Sequence, residues 1–289
     1  MTVHLQAALQ QAIEALKNAG VDEARLDAEL LLGHTLAVNR AAILAQPDRP
    51  LTPKELTRFR DLVARRTARE PLPYITGHRE FFGLDFAVDA RVLIPRPETE
   101  LLIEHALRIV RSMPEPLPAA LEIADVGAGS GAIAVTLAVH LPQATVYALD
   151  ASAEALAVTA ENAQRHDVAG RVQCRQGDLL APLPGPVNLI AANLPYVASG
   201  ELAGLLPEIR DYEPHAALVG GPDGLEAIHR LLATARPYLY PGGALLLEIG
   251  ASQGIAVTTL ARRYFPSADI RLHRDYAGLD RLVIVQLSS

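Results

Sequence analysis

The sequence predicts an α/β fold: a mostly parallel sheet with helices on both faces, preceded by a small all-helical domain and a connecting β-hairpin. Three observations carry this reading. From Leu121 onward, apolar runs of strand length alternate with stretches of helical periodicity, as a parallel sheet with crossover helices requires. Residues 1–72 instead repeat their apolar positions at spacings of three and four. Between them, Pro73, Gly77, Gly83, Pro95 and Pro97 punctuate short β-like runs over residues 73–97. The expected division is therefore a helical domain at 1–72, a connecting hairpin at 73–97 and the α/β domain at 98–289.

In chain order, Leu5, Leu9, Ile13 and Leu16 line one face of a first helix that ends near Gly20. Leu26, Leu30 and Leu31, with Ala28 and Leu32, open a second. Thr52-Pro53-Lys54-Glu55 is a helix start: Thr52 can cap, Pro53 sits where a missing N–H is harmless, and Glu55 can reach back. The helix that follows carries Arg58, Arg60, Arg65, Arg66 and Arg69. This basic stretch reads as a solvated face or, alternatively, as a docking surface for an acidic or RNA-linked partner. Phe86–Val88 and Arg91–Ile94 read as the β-like runs of the hairpin region. A helix is expected from about Glu98 to Arg111, then a loop marked by Pro114, Pro116 and Pro118. The strand-like runs are Leu121–Val126, Thr145–Leu149, Arg171–Gln176, Val187–Ala192, Ala244–Ile249 and Arg281–Leu287.

Half of the 289 residues are hydrophobic, aromatics make up 4% and Trp is absent, so the core is expected to be Leu, Ala, Val and Ile. A net charge of −7 gives no basic footprint for nucleic acid. The single cysteine, Cys174, cannot form an internal disulfide, which suits a reducing compartment. The opening residues, Met1 to Gln6, lack a basic n-region, and no run approaches membrane-spanning length. A cytoplasmic, membrane-free monomer is expected.

Gly127-Ala128-Gly129-Ser130-Gly131 ends the first strand of the α/β domain and opens a helix. Glycines there let the backbone turn sharply and approach a ligand, and the helix start supplies oriented N–H groups. Asp150 ends the next strand, 19 residues after Gly131, where an acid can accept from both ribose hydroxyls. Gly127, Gly129 and Ala132 also satisfy the relaxed dinucleotide pattern, so at this point the loop specifies only an adenosine-containing cofactor. Asp178, after the third strand, can accept from an adenine amino group, with Leu179 packing on the ring.

Asn193-Leu194-Pro195-Tyr196 follows the fourth strand, at the carboxyl edge of the sheet where open α/β folds bind ligands. The Asn193 side chain carries one acceptor oxygen, and the neighbouring backbone carbonyl, held by Pro195, is a second. Two adjacent acceptors suit a planar NH₂ group, and Tyr196 offers a flat wall with a polar tip. An amide nitrogen is a poor nucleophile because its lone pair is delocalised. Accepting both its hydrogens orients it and favours the charge that develops during attack on a sulfonium methyl.

Asn-Leu-Pro-Tyr is similar to the Asn/Asp-Pro-Pro-aromatic motif of amino-methyltransferases. The blocks Pro73–Gly77, Glu80–Gly83, Ile94–Glu100, Glu213-Pro214 and Gly220–Gly224 closely resemble the PrmC/HemK family, across nearly the whole chain. The resemblance implies a class I, Rossmann-like methyltransferase with a seven-stranded sheet and an N-terminal substrate-recognition domain. It implies methyl transfer from S-adenosyl-L-methionine, with S-adenosyl-L-homocysteine as product, to the glutamine N5 in the Gly-Gly-Gln motif of class 1 peptide chain release factors. Gly127, Ala128, Gly129, Ser130 and Gly131 should line the methionine part of the cofactor and Asp150 its ribose, with Asp178 and Leu179 flanking the adenine. Asn193 should touch cofactor and substrate, Leu194, Pro195 and Tyr196 should complete the glutamine pocket, and Arg96–Glu100 should close over the site. Catalysis is assigned to Asn193, Pro195 and Tyr196.

One departure stands out: the family usually has Pro where this chain has Leu194. The same tetrapeptide resembles that of rRNA adenine dimethyltransferases, so methylation of adenine N6 is the alternative. A non-catalytic module that binds release factors or ribosomes is a third reading, which the intact glycine loop, Asp150 and Asn193 oppose. No His or Cys cluster has metal spacing, so no metal is expected. His78, His215 and His229 read as surface or packed residues, Cys174 as a small hydrophobe packed in a strand, and Gly220–Gly224 as a turn.

Overall fold

The computed structural model describes residues 3–113 and 121–288, so the loop expected at Pro114, Pro116 and Pro118 lies outside the described residues. The chain forms two compact units, Met1–His78 with Leu206–Tyr212, and Arg79–Leu205 with Glu213–Ser289.

The first unit opens with β1 (Val3–His4), α1 (Leu5–Asn18), α2 (Ala24–Leu36) and α3 (Arg40–Ala45). It continues through β2 (Pro50–Leu51), α4 (Pro53–Thr67) and α5 (Leu72–Thr76). Leu5, Leu9, Ile13 and Leu16 are all buried, each worth about 1.5–3 kcal/mol. In α2 the inward face is Ala24, Ala28, Leu31 and Leu32, so Ala28, Leu31 and Leu32 are buried as expected, whereas Leu26 is half-buried and Leu30 is exposed. Thr52 and Glu55 form the anticipated capping box, with Glu55 N donating to Thr52 Oγ1 (3.3 Å) and Thr52 N to Glu55 Oε2 (2.8 Å). The unit is not all helical, because β1 pairs antiparallel with β2. Residues 73–76, placed at the start of the connecting hairpin, belong instead to the helical turn α5.

The second unit begins one residue into β3 (His78–Phe81), which forms a hairpin with β4 (Leu84–Ala87), and continues with α6 (Glu100–Arg111). Arg91–Ile94 is not a strand. Val92 and Ile94 are buried, so its alternation reflects burial of one face. Next come β5 (Leu121–Val126), α7 (Ala132–His140), β6 (Ala144–Asp150), α8 (Ala153–Arg165), β7 (Val172–Gln176) and β8 (Val187–Ala192). After the excursion into the first unit that contains α9 (Pro207–Tyr212), the chain adds α10 (Glu226–Ala235), β9 (Leu239–Glu248), α11 (Gly254–Tyr264), β10 (Asp269–Arg274) and β11 (Asp280–Gln286).

The sheet has seven strands in the order β10-β11-β9-β8-β5-β6-β7. Pairs among β9, β8, β5, β6 and β7 are parallel, and β11 is antiparallel to both neighbours. β5 lies between β6 and β8, so crossovers leave it in opposite directions. That reversal opens a crevice at the carboxyl ends of these strands. β8 is buried along its whole length, as a central parallel strand must be.

The Arg run on and just after α4 is only in part a solvated face: Arg58, Arg60 and Arg65 are exposed, whereas Arg66 and Arg69 turn inward. Arg66 is buried and donates to Asp27 (2.7 Å) and Glu208 (2.8 Å), while Arg69 reaches the other oxygen of Glu208 (2.7 Å). Arg65 pairs with Glu70 at 2.5 Å, and Arg58 and Arg60 are exposed. For Arg66 and Arg69 the sequence misleads because Glu208 arrives from a segment 142 residues away from Arg66. Cys174 lies in the edge strand β7 and is exposed, not packed.

Candidate active site

A cleft of about 530 Å³ opens where β5, β6 and β8 end. It is within the range of small-molecule sites. Its walls bring together Gly127, Gly129, Asp150, Asp178, Leu179, Asn193, Leu194 and Pro195. Ala128, Ser130, Gly131 and Tyr196 stand behind them and do not line it. Ala90–Leu93 also lines the cleft, whereas Arg96–Glu100 does not.

The glycine loop is shaped from below by α8. Thr159 Oγ1 donates to Gly129 O (2.9 Å) and Asn162 Nδ2 to Ser130 O (2.9 Å). Gly131 begins α7 at φ 80°, and a Cβ there would lie 2.9 Å from Thr159 Cγ2. Gly127 has φ 79°. A Cβ on Gly129 would meet only Gly127 O, at 4.0 Å, so the missing side chain leaves a cradle open toward the cleft.

Asp150 holds this loop with both oxygens. Oδ2 accepts from Gly129 N and Oδ1 from Ser152 N, each at 2.9 Å. A carboxylate oxygen has a further lone pair, so Asp150 can still receive a vicinal diol. Asp178 gives one oxygen to Arg230, and both residues line the cleft. Leu179, at the same wall, has φ 47°, a left-handed conformation that costs a Leu about 1–3 kcal/mol. A cradle, a diol acceptor and an apolar wall with an acid beside it fit an adenosine-containing cofactor.

Asn193 follows β8. Its Nδ2 donates to Thr99 Oγ1 (3.2 Å). Among the described residues, no hydrogen bond reaches Asn193 Oδ1 or the Leu194 carbonyl. Leu194 is buried in the core, and the Leu194 Cδ2 atom would lie 3.3 Å from a Cβ on Gly127. The residue that replaces the family's usual proline thus packs on the glycine loop. Tyr196 turns its hydroxyl to Glu248 Oε1 (3.5 Å), and burial followed by the Glu248 charge pushes its phenol up.

The tetrapeptide backbone is clamped by parts that sequence reading assigned elsewhere or missed. Gln253 Nε2 donates to Tyr196 O (2.9 Å) and Gly224 O (3.4 Å), and Gln253 Oε1 accepts from Gly250 N (2.9 Å). The turn Gly220–Gly224 lies directly against this backbone. A Cβ on Gly220 would collide with Pro195 O, and one on Gly224 with Tyr196 O. Arg96 pairs with buried Glu213 (2.6 Å), and Glu213 also accepts from Ile94 N (3.4 Å). That pair ends the segment that lines the cleft. The signal for Thr159 and Asn162 was present in the sequence, as polar residues on the otherwise apolar face of α8.

Sheet order, glycine loop and the acid ending β6 together define a class I methyltransferase. A methyltransferase structure from Pyrococcus furiosus shares this fold, with a TM-score of 0.51 at 16% identity over 72% of this chain and 91% of that one. Residues 7–77 match the family model of the PrmC N-terminal domain, and residues 100–206 match that of the methyltransferase small domain. A release factor glutamine methyltransferase from Nitratidesulfovibrio vulgaris is 44% identical over 98% of this chain and 95% of its own. One from Moorella thermoacetica is 46% identical over 96% of each. The chain belongs to the release factor glutamine methyltransferase family.

Proposed function

We propose that this protein transfers a methyl group from S-adenosyl-L-methionine to the glutamine side-chain amide in the Gly-Gly-Gln motif of class 1 peptide chain release factors. The observation that carries the reading is the pair of unsatisfied acceptors, Asn193 Oδ1 and the Leu194 carbonyl, at the mouth of β8. The cofactor, when bound, supplies an electrophilic sulfonium methyl. Gly127–Gly131 would cradle its methionine part, Asp150 its ribose, and Asp178 with Leu179 its adenine. The two acceptors would take both hydrogens of the substrate amide, fixing its plane and favouring positive charge on nitrogen as the methyl arrives. The proton leaves after transfer, so no strong base is required first.

In this proposal the helical unit recognises the protein substrate, the enzyme acts as a monomer in the cytoplasm, and no nucleic acid takes part. The test is methyl transfer from labelled S-adenosyl-L-methionine to a purified release factor, beside its Gln→Ala variant and total RNA. The expected result is label on the wild-type factor alone, with Asn193→Ala binding cofactor yet losing transfer by about 100-fold or more. Label on RNA alone would overturn the protein substrate and favour adenine N6.

A further inference from the structure

Asn162 lies near the end of α8 and is fully buried, on a face otherwise built from Ala155, Leu156, Val158, Thr159 and Ala163. Its amide makes three bonds. Oδ1 accepts from Ala87 N (2.7 Å), and Nδ2 donates to Ala87 O (3.0 Å) and to Ser130 O (2.9 Å). Both amide hydrogens are thereby used, and the three partners fix which way the group faces. A carboxylate of the same shape cannot donate. An apolar side chain would leave one N–H and two carbonyls buried without partners, which is costly.

The two ends of this bridge lead to two different parts of the cleft wall. Ala87 ends β4, and three residues further on Ala90–Leu93 forms a lip that lines the cleft. Three residues span at most about 10 Å, so pinning Ala87 confines the lip. The lip is itself a tight turn: Asp89 accepts from Arg91 N through its side chain (3.0 Å) and from Val92 N through its carbonyl (3.1 Å). At the other end, Ser130 belongs to the glycine loop, of which Gly127 and Gly129 line the same cleft. Gly129 is held from both sides, its N–H by Asp150 and its carbonyl by Thr159, one turn before Asn162.

We propose that Asn162 is a positioning residue for the cofactor, joining the stem of the Ala90–Leu93 lip to the glycine loop so that both walls keep one spacing and respond to the cofactor together. The proposal rests on S-adenosyl-L-methionine as the occupant of the cleft. Any shift of the loop at Ser130 reaches Ala87 through one planar amide with no torsion to spare. The coupling is reciprocal: a fixed lip prearranges the glycine loop, and a loop ordered by the cofactor steadies the lip. A second tie between α8 and β4 bypasses the glycine loop. Arg165 pairs with Asp85 at 2.8 Å, and both residues are exposed.

The experiment uses the full chain and S-adenosyl-L-homocysteine, with affinity from calorimetry and amide hydrogen exchange measured with and without the ligand. In the unaltered protein the ligand should slow exchange both in the glycine loop and in Ala90–Leu93. Asn162→Asp keeps the shape and the bond from Ala87 N but loses both donations. It should weaken affinity by about 10-fold or more and confine the ligand-dependent protection to the glycine loop. Asn162→Ser, whose shorter side chain leaves room for a water, carries the same test should the carboxylate prevent folding. Arg165→Ala releases only the outer tie and should keep native affinity and joint protection. Native affinity or joint protection in the folded Asn162 variant, or an equal loss in Arg165→Ala, overturns the proposal. Failure of the underlying reading looks different: the unaltered protein would then bind no S-adenosyl-L-homocysteine.

Discussion

Gln253→Glu reverses the polarity of the tetrapeptide clamp without changing its shape. In the native protein the buried amide donates to Tyr196 O and Gly224 O at 2.9 and 3.4 Å and accepts from Gly250 N. A carboxylate keeps the last bond but sets an oxygen against two carbonyls. The 3.4 Å bond contributes little, so the main loss is one orphaned acceptor, at about 1–3 kcal/mol, plus burial of a charge. At pH 8 the total is about 3 kcal/mol, and methyl transfer should fall with it, because Tyr196 O belongs to the substrate loop. Near pH 5.5 a protonated carboxyl can donate to Tyr196 O and recover about 2 kcal/mol of this. The sign follows from the proton: the folded variant binds it more tightly than the unfolded chain, so stability is lost as pH rises. Urea unfolding and transfer rates at both pH values check the idea. A variant as stable and active as the native protein at pH 8 would show that Gln253 does not hold the loop.

Arg66→Ala should destabilise the helical unit by about 3 kcal/mol, because it leaves buried Asp27 without its partner; thermal unfolding of the full chain measures this. Gly127→Ala forces a side chain into φ 79° beneath Leu194, a strain of about 1–2 kcal/mol, and calorimetry should find cofactor affinity at least ~10-fold weaker. Burial raises the Asp125 carboxyl from 3.8 to about 7, so the folded state holds a proton that the unfolded chain has released. Stability should therefore decline as pH rises from about 4 to 7, by on the order of 4 kcal/mol from this group, and Asp125→Asn should show a shallower decline in urea unfolding across that range.

The parts of the fold read correctly from sequence are those whose signal is local. The glycine loop is contiguous, Asp150 ends an apolar run, and the Thr52 capping box spans four residues. β10 escaped because it is a charged edge strand, with Asp269, Arg271, His273 and Arg274 interrupting Ile270 and Leu272, as edges that avoid further pairing often are. At the site, the tetrapeptide was visible but most of its support was not. Thr99, 94 residues from Asn193, falls in the Arg96–Glu100 segment that the resemblance placed over the site, whereas Glu248 and Gln253, 55 and 60 residues from Asn193, are brought there only by the sheet. The Arg91–Ile94 run had a strand's period but is not a strand, because periodicity records burial and does not by itself place the run in a sheet.

The bond between α4 and Glu208 affects how this protein can be divided or recombined. The helical unit is written in the gene in two pieces, one at the start and a seven-residue piece far downstream. A fragment cut after His78 would retain two guanidinium groups shaped around an acid it no longer encodes. A chimera joining the first half of one relative to the second half of another would inherit the cations and their counter-ion from different parents.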